Sequence, residues 1–471
     1  MIMDSLFKYK VYMALPIDLR ILLTMVFIIA VFLGYSSSQL REQSGWFYRE
    51  PNDEKAPTLA QIYKDFGDFL EIPDTGKCGA RLGQAFSTTT STIYTNFKLK
   101  MRTTFKETII ALPMVLRGQE NGARPRSIGF SNSIWGYKGV ILVDAYYRDK
   151  IKLGLRPSMK KFTSDHRVLE VCNISTPMSC YWNRQMITVL SSLGVPDSSF
   201  TKLYNDMIEE LNFCFNNRDA ALKFVLKHES TSLVAKLLSA GVDLAHRHIF
   251  QCYAKSSYNK CTAKISYSCA SRGIDDYEVL SEGCSKKFES PPDGTIVVVG
   301  RCPCLHPGDI RRITFMRPPN IGDLYDVIVF SANGLRPKPD KMASGDLDGD
   351  IYFAIWDQPL VCKENYPAMI PRNPTSFNQI YAKNMNGVGH FFVNYMLKDN
   401  LGHISTMHVL LCDLLPNGAK DNLAIEFAQA HAIAIDYAKT GIPATVPRIP
   451  MKLLYPDFME KTTKQSYESE N

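Results

Sequence analysis

The stretch Ser344-Gly345-Asp346-Leu347-Asp348-Gly349-Asp350, running at once into Ile351-Tyr352-Phe353-Ala354-Ile355-Trp356, decides how the chain is read. Carboxylates stand at every second position from Asp346 to Asp350. In an extended chain alternate side chains share a face. Asp346, Asp348 and Asp350 are therefore expected to point the same way, with Gly349 permitting a tight turn between the last two. Three acids this close repel one another unless a cation sits among them. Hard oxygen ligands favour Mg2+ or Mn2+, and Mg2+ on a few carboxylates keeps positions open for water and phosphates, as phosphoryl transfer requires. A calcium loop fits poorly, because an EF-hand places glycine sixth and the sixth residue from Asp346 is Ile351. The β-branched and aromatic run after Asp350 reads as a buried strand. Taken alone, the stretch fits a catalytic metal site and a solvated acidic turn equally well.

The flanking residues shift that balance. Upstream lie Cys302-Pro303-Cys304-Leu305-His306-Pro307-Gly308-Asp309-Ile310-Arg311, then Asp326-Val327-Ile328-Val329-Phe330, then Gly334-Leu335-Arg336-Pro337-Lys338-Pro339. This series, ending in the aspartate stretch, resembles the cellular RNA-dependent RNA polymerases of RNA silencing. Further matches to that family are Lys77-Cys78-Gly79-Ala80-Arg81-Leu82-Gly83-Gln84-Ala85-Phe86-Ser87, Gly136 to Asp144, Leu155 to Phe162 and Cys180 to Gln185. The sequence departs from the family pattern at Arg301-Cys302, where Lys-Asn is usual, and at Lys338, where His is usual; both keep positive charge nearby.

The resemblance implies an α+β fold with two double-psi β-barrels, a helical connector and a helical C-terminal segment. One barrel supplies the metal-binding aspartates, and the other supplies lysines for the phosphates. Lys138 and Lys161 are the candidates, with Lys160 a rival. The lysine side should come from the first half of the chain, with Lys138 or Lys161 near Asp350. Seven basic residues lie between Arg301 and Lys341, and arginine binds phosphate with a planar fork. Among them Arg311, Arg336 and Lys338 are the candidate nucleotide contacts, while others must pair with Asp309, Asp323 or Asp326.

Composition is compatible with this reading. Of 471 residues, 45% are hydrophobic and 21% charged, which suffices for a globular core. The net charge of +7 permits a polyanionic partner without requiring one. Twelve cysteines follow no regular framework, so they read as reduced and intracellular, in cytoplasm or nucleus. Cys302-x-Cys304-x-His306 is too tightly spaced for the usual zinc pairs.

Along the chain, Ile21 to Leu33 is apolar apart from Thr24. That is shorter than the roughly 20 residues of a membrane span, and its second half reads as a buried strand entering the catalytic region, so a membrane role is not expected. Thr58 is expected to cap a helix carrying Ile62, Phe66 and Phe69. Leu203, Met207, Ile208 and Leu211, and then Leu233 to Leu238 before Gly241, recur at helical spacing. The expected division is 1–30, an N-terminal apolar segment; 31–195, the first catalytic half; 196–245, the helical connector; 246–360, the second barrel with the metal site; and 361–471, helical and truncated.

The implied activity is template-directed RNA synthesis from single-stranded RNA and ribonucleoside triphosphates. Its product would be double-stranded RNA for a silencing pathway, with silencing proteins as further partners. The rival reading is a truncated, inactive paralogue that only binds RNA or silencing proteins. The intact aspartate series argues against it, and the missing N-terminal RNA-binding and C-terminal head regions argue for it. A DNA-templated polymerase or primase would carry different neighbours around positions 302–350.

Overall fold

The computed structural model describes residues 6–10, 31–48, 56–69, 72, 74–87, 90–94, 100–101, 128–130, 136–141, 154–155, 157–174, 178–214, 217–229, 232–242, 266–275, 291–316, 327–330, 335–370, 385–451, 453–460 and 466–467. They form a mixture of helix and strand. Six strands make the central sheet: β1 (Met178–Tyr181), β2 (Ser266–Asp275), β3 (Ile296–Arg301), β4 (Ile310–Thr314), β5 (Val327–Phe330) and β6 (Ile351–Ile355). Their order is β1-β2-β6-β3-β4, and β5 pairs with β2. The β2–β5 pair is parallel, and the other pairs are antiparallel.

The run Val297-Val298-Val299 is buried throughout because both faces of the sheet are covered. Alternation sends Val298, Phe353 and Ile355 to one side, against Trp182, Met186, Val189 and Leu190 of the segment that includes the helix Arg184–Ser192. Val297, Val299, Tyr352 and Ala354 go to the other side, with Phe330 and Met342. Each such side chain contributes about 1.5–3 kcal/mol on burial. The register sets Arg301 opposite Tyr352 and Gly300 opposite Phe353. A Cβ at Gly300 would collide with the Phe353 ring, so glycine there lets β3 lie close to β6 and brings Arg301 beside the end of the aspartate stretch.

The segments before and after this sheet interlock with it or with each other. The strand Val31–Gly34 is the expected buried second half of the apolar run and pairs with Ser44–Tyr48; residues 11–30 lie outside the described residues. Phe32, Tyr35 and Phe47 pack on Phe391 and Phe392 of the helix Met385–Lys398. Thr58 caps the helix Leu59–Phe66 in a capping box with Gln61, as expected. Phe69 is buried beyond the helix end. Helices at Asp197–Cys214, Arg218–Glu229 and Leu233–Ser239 fall where the connector was read, and include a core of Phe224, Val225 and Leu238. The C-terminal region is helical, with Met385–Lys398, Leu401–Leu414 and Asn422–Thr440.

Among the described residues the sheets are open and no closed barrel is traced. Strand β1, read as part of the first half, joins the sheet of the second. No described helix is long and apolar enough to cross a membrane.

Candidate active site

The acidic stretch is a tight loop, not the extended strand that alternation implied. Asp346 N–H donates to Asp350 Oδ2 at 2.9 Å, and Asp348 N–H donates to Asp346 Oδ1 at 3.2 Å. Tyr352, the second residue of β6, donates its hydroxyl to the Asp346 carbonyl at 2.9 Å. Gly349 takes φ +132°, open mainly to glycine. A Cβ at Gly345 would collide with the Tyr352 hydroxyl and with Arg301 Cδ. The three carboxylates still converge, each offering an oxygen within 4.8 Å of the others. The loop's own hydrogen bonds contribute to that convergence.

Four cations surround this cluster. Arg301 grips Asp350 with a fork, Nε to Oδ2 at 2.8 Å and Nη2 to Oδ1 at 3.1 Å. Its Nη1 donates to the Ala343 carbonyl at 2.8 Å. Lys138 Nζ stands 3.0 Å from Asp348 Oδ2, so the lysine expected near Asp350 meets Asp348 instead. Lys161 and Arg81 both feel the charges of Asp348 and Asp346. Lys138 and Lys161 are brought side by side by a short ladder. Lys138 N–H donates to the Met159 carbonyl and Lys161 N–H to the Gly136 carbonyl, each at 2.9 Å. Lys160 bridges to Tyr137 in the same ladder and is exposed.

The electrostatics follow from this crowding. Burial, then the charges of Asp348 and Asp350, push the Asp346 carboxyl up to about 6. Burial would also raise Asp348, but Lys138, a hydrogen bond from Asp346 and Lys161 outweigh it and hold that carboxyl at about 2. Burial lowers the Lys161 ammonium; Arg81 and Lys138 add to the effect, against the pull of the two aspartates. A cavity of about 400 Å³ opens here, lined by Lys138, Lys161, Asp346 and Asp348 among others. A larger cavity of about 850 Å³ lies between Arg184, Phe200, Asp413 and Lys420. It holds no cluster of three acids, so the chemistry belongs to the smaller one.

The other expected nucleotide contacts have different partners. Arg336 binds Asp340 at 2.5 Å and donates to the carbonyls of Asp340 and Met369. Arg311 Nη1 donates to the Tyr366 carbonyl at 2.6 Å. Lys338 sits between Pro337 and Pro339, which line the cavity, and is itself half-buried. Asp323, Asp326 and Arg317 lie outside the described residues. His306 accepts from Gly308 N–H at 3.0 Å within its own turn. The residues that sequence reasoning missed are Arg301 and Arg81 as neighbours of the cluster. Arg301's place before the Cys302-Pro303-Cys304 stretch was visible, but its register opposite Tyr352 of β6 was not.

Three clustered carboxylates flanked by fixed cations provide the hard oxygen donors that a divalent ion takes. The family model for RNA dependent RNA polymerase matches residues 31–110 and 119–471. The chain belongs to the RNA-dependent RNA polymerase family. It is 33% identical over 483 residues to RNA-dependent RNA polymerase 1 of Arabidopsis thaliana, covering 93% of this chain and 42% of that protein. Against RNA-dependent RNA polymerase 1 of Schizosaccharomyces pombe the identity is 30% over 501 residues, covering 93% of this chain and 41% of that one. The chain thus spans about two-fifths of the length of these RNA-dependent RNA polymerases. The solved structure of the RNA dependent RNA polymerase QDE-1 from Thielavia terrestris matches with a TM-score of 0.64 and 19% identity, over 84% of this chain and 54% of that one. This last likeness is one of fold.

Proposed function

We propose that this chain is the catalytic core of an RNA-directed RNA polymerase that copies single-stranded RNA with ribonucleoside triphosphates into double-stranded RNA for RNA-mediated silencing. The observation that carries the reading is the convergence of Asp346, Asp348 and Asp350, with Lys138 paired to Asp348 and Lys138, Lys161, Asp346 and Asp348 lining one cavity. Family membership and the likeness of fold support it. In this reading the chain divides as the sequence implied except that β1 belongs with the second half, and the described strands are parts of two double-psi barrels. Silencing proteins are further partners. The place is intracellular, cytoplasm or nucleus, in keeping with twelve cysteines that follow no regular framework.

Asp346, Asp348 and Asp350 hold Mg2+, or Mn2+ in its stead. When bound, that ion supplies Lewis-acid stabilisation of phosphate charge. Lys138 and Lys161 meet the charge on the transferring phosphate, from fixed positions that need no reorganisation. Arg301 keeps Asp350 oriented with its two-pronged fork. Arg81 adds positive potential that Lys161, Asp346 and Asp348 feel.

The test is synthesis by the purified chain on a defined single-stranded RNA with four ribonucleotides and Mg2+. A full-length product that resists single-strand nuclease is expected, and omission of one nucleotide should stop extension at the position the template dictates. Products independent of template sequence would sink the reading.

A further inference from the structure

Asp309 lies outside the aspartate cluster, yet its carboxylate is tied to the loop that forms it. Its side chain is 4% exposed. Oδ2 accepts from the N–H groups of Leu305 and His306 at 3.1 and 3.0 Å, which shapes the turn that Asp309 itself belongs to. Oδ1 does something else: it accepts from Ala343 N–H at 3.0 Å, across 34 residues of sequence.

Ala343 is where the chain enters an unfavourable conformation. Ala343 and Ser344 both take left-handed φ, +49° and +50°, with no glycine to ease it. Residues with a Cβ adopt that region at a cost and stay there only where their surroundings over-determine it. Here the surroundings are two charged side chains. Asp309 holds the N–H of Ala343, and Arg301 holds its carbonyl at 2.8 Å. The rest of the Arg301 fork is on Asp350. The β3–β4 hairpin therefore grips the aspartate loop at both ends, Ala343 and Asp350.

We propose that Asp309 is a positioning residue for the cation site: its buried carboxylate, with Arg301 on the far side of Ala343, holds the left-handed Ala343–Ser344 step so that the three aspartates converge before a cation arrives. It touches neither cation nor substrate. The inference rests on the reading of Asp346, Asp348 and Asp350 as a cation site.

The experiment is titration of Mn2+ by electron paramagnetic resonance into the full chain, as parent, Asp309→Asn, Ala343→Gly and the double variant. Losing an outer partner of a metal ligand set weakens binding roughly 10–100-fold, and at least the lower end is expected for Asp309→Asn. Ala343→Gly should bind as the parent does. The double variant should recover most of the loss, because glycine takes the left-handed step without restraint. A double variant as weak as Asp309→Asn would mean that Asp309 serves only its own turn and would overturn the inference, as would equal binding by parent and Asp309→Asn. Absence of Mn2+ binding by the parent would overturn the cation reading itself, and this inference with it. Hydrogen exchange on the parent is independent of how any variant folds. The Ala343 amide should exchange as slowly as the amides of β6, and exchange at the rate of an open loop would overturn the proposal.

Discussion

Replacing Lys138 by methionine should separate cation binding from catalysis, with opposite signs. The ammonium sits 3.0 Å from Asp348 Oδ2 and competes with a cation for that carboxylate. A dication about 5 Å from a unit positive charge is repelled by about 1.7 kcal/mol even at the dielectric constant of water. Removing the ammonium should therefore tighten Mn2+ binding roughly twentyfold at low ionic strength, and less as salt screens the repulsion. Turnover should move the other way. A fixed donor to developing charge is worth about a hundredfold or more in kcat, and KM for RNA should change far less, because the loss falls on the transition state. The assay pairs a Mn2+ titration with single-nucleotide extension on one preparation. Unchanged Mn2+ affinity together with unchanged turnover would refute the place given to Lys138.

Arg301→Ala removes charge-assisted bonds to Asp350 and Ala343, a loss of about 2 kcal/mol. For a cooperative unit of 471 residues, the unfolding entropy near 60 °C converts this to a fall of about 2 °C in melting temperature. Arg301→Lys should fall less, and scanning calorimetry decides. Arg336→Ala should lower the melting temperature without raising KM for nucleotides, since its donors go to Asp340 and to backbone carbonyls; a raised KM would restore it to the nucleotide site. Iodoacetamide on the native protein should modify exposed Cys302 well before buried Cys304, Cys362 and Cys412. A hydrogen bond from Cys304, with the nearby Arg301 charge, lowers the Cys302 thiol pKa, whereas burial raises those of Cys362 and Cys412. Peptide mass spectrometry reads the order of labelling.

What the sequence displayed well was local. The Thr58 cap, the strand after Asp350 and the helices at 197–239 follow from capping and periodicity that short windows contain, whereas the helices at 385–440 entered through the resemblance. The convergence of three aspartates was also legible, although the reason given for it was incomplete. Alternation in an extended strand would place the carboxylates on one face, but the loop's backbone N–H groups contribute to folding them together. Lys138 and Lys161 entered through resemblance alone. Nothing local joins position 138 to position 348; the Gly136–Lys161 ladder makes the lysines neighbours, and the tertiary fold sets Lys138 against Asp348. Arg301 and Asp309 were hidden for the same reason. Their partners, Asp350 and Ala343, lie 49 and 34 residues away. Arg336 was read as a nucleotide contact from its place near the motif, and short windows did not show that its side chain pairs with Asp340 four residues on.

The most direct test of the whole account is Asp350→Ala in the template-directed extension assay, beside the parent and under saturating RNA. The substitution deletes one of three converging carboxylates and leaves the Arg301 fork without its partner. The prediction is that the variant binds single-stranded RNA as the parent does and extends none of it, at any Mg2+ concentration. Extension by Asp350→Ala at the parent's rate would contradict the assignment of the aspartate loop as the catalytic cation site.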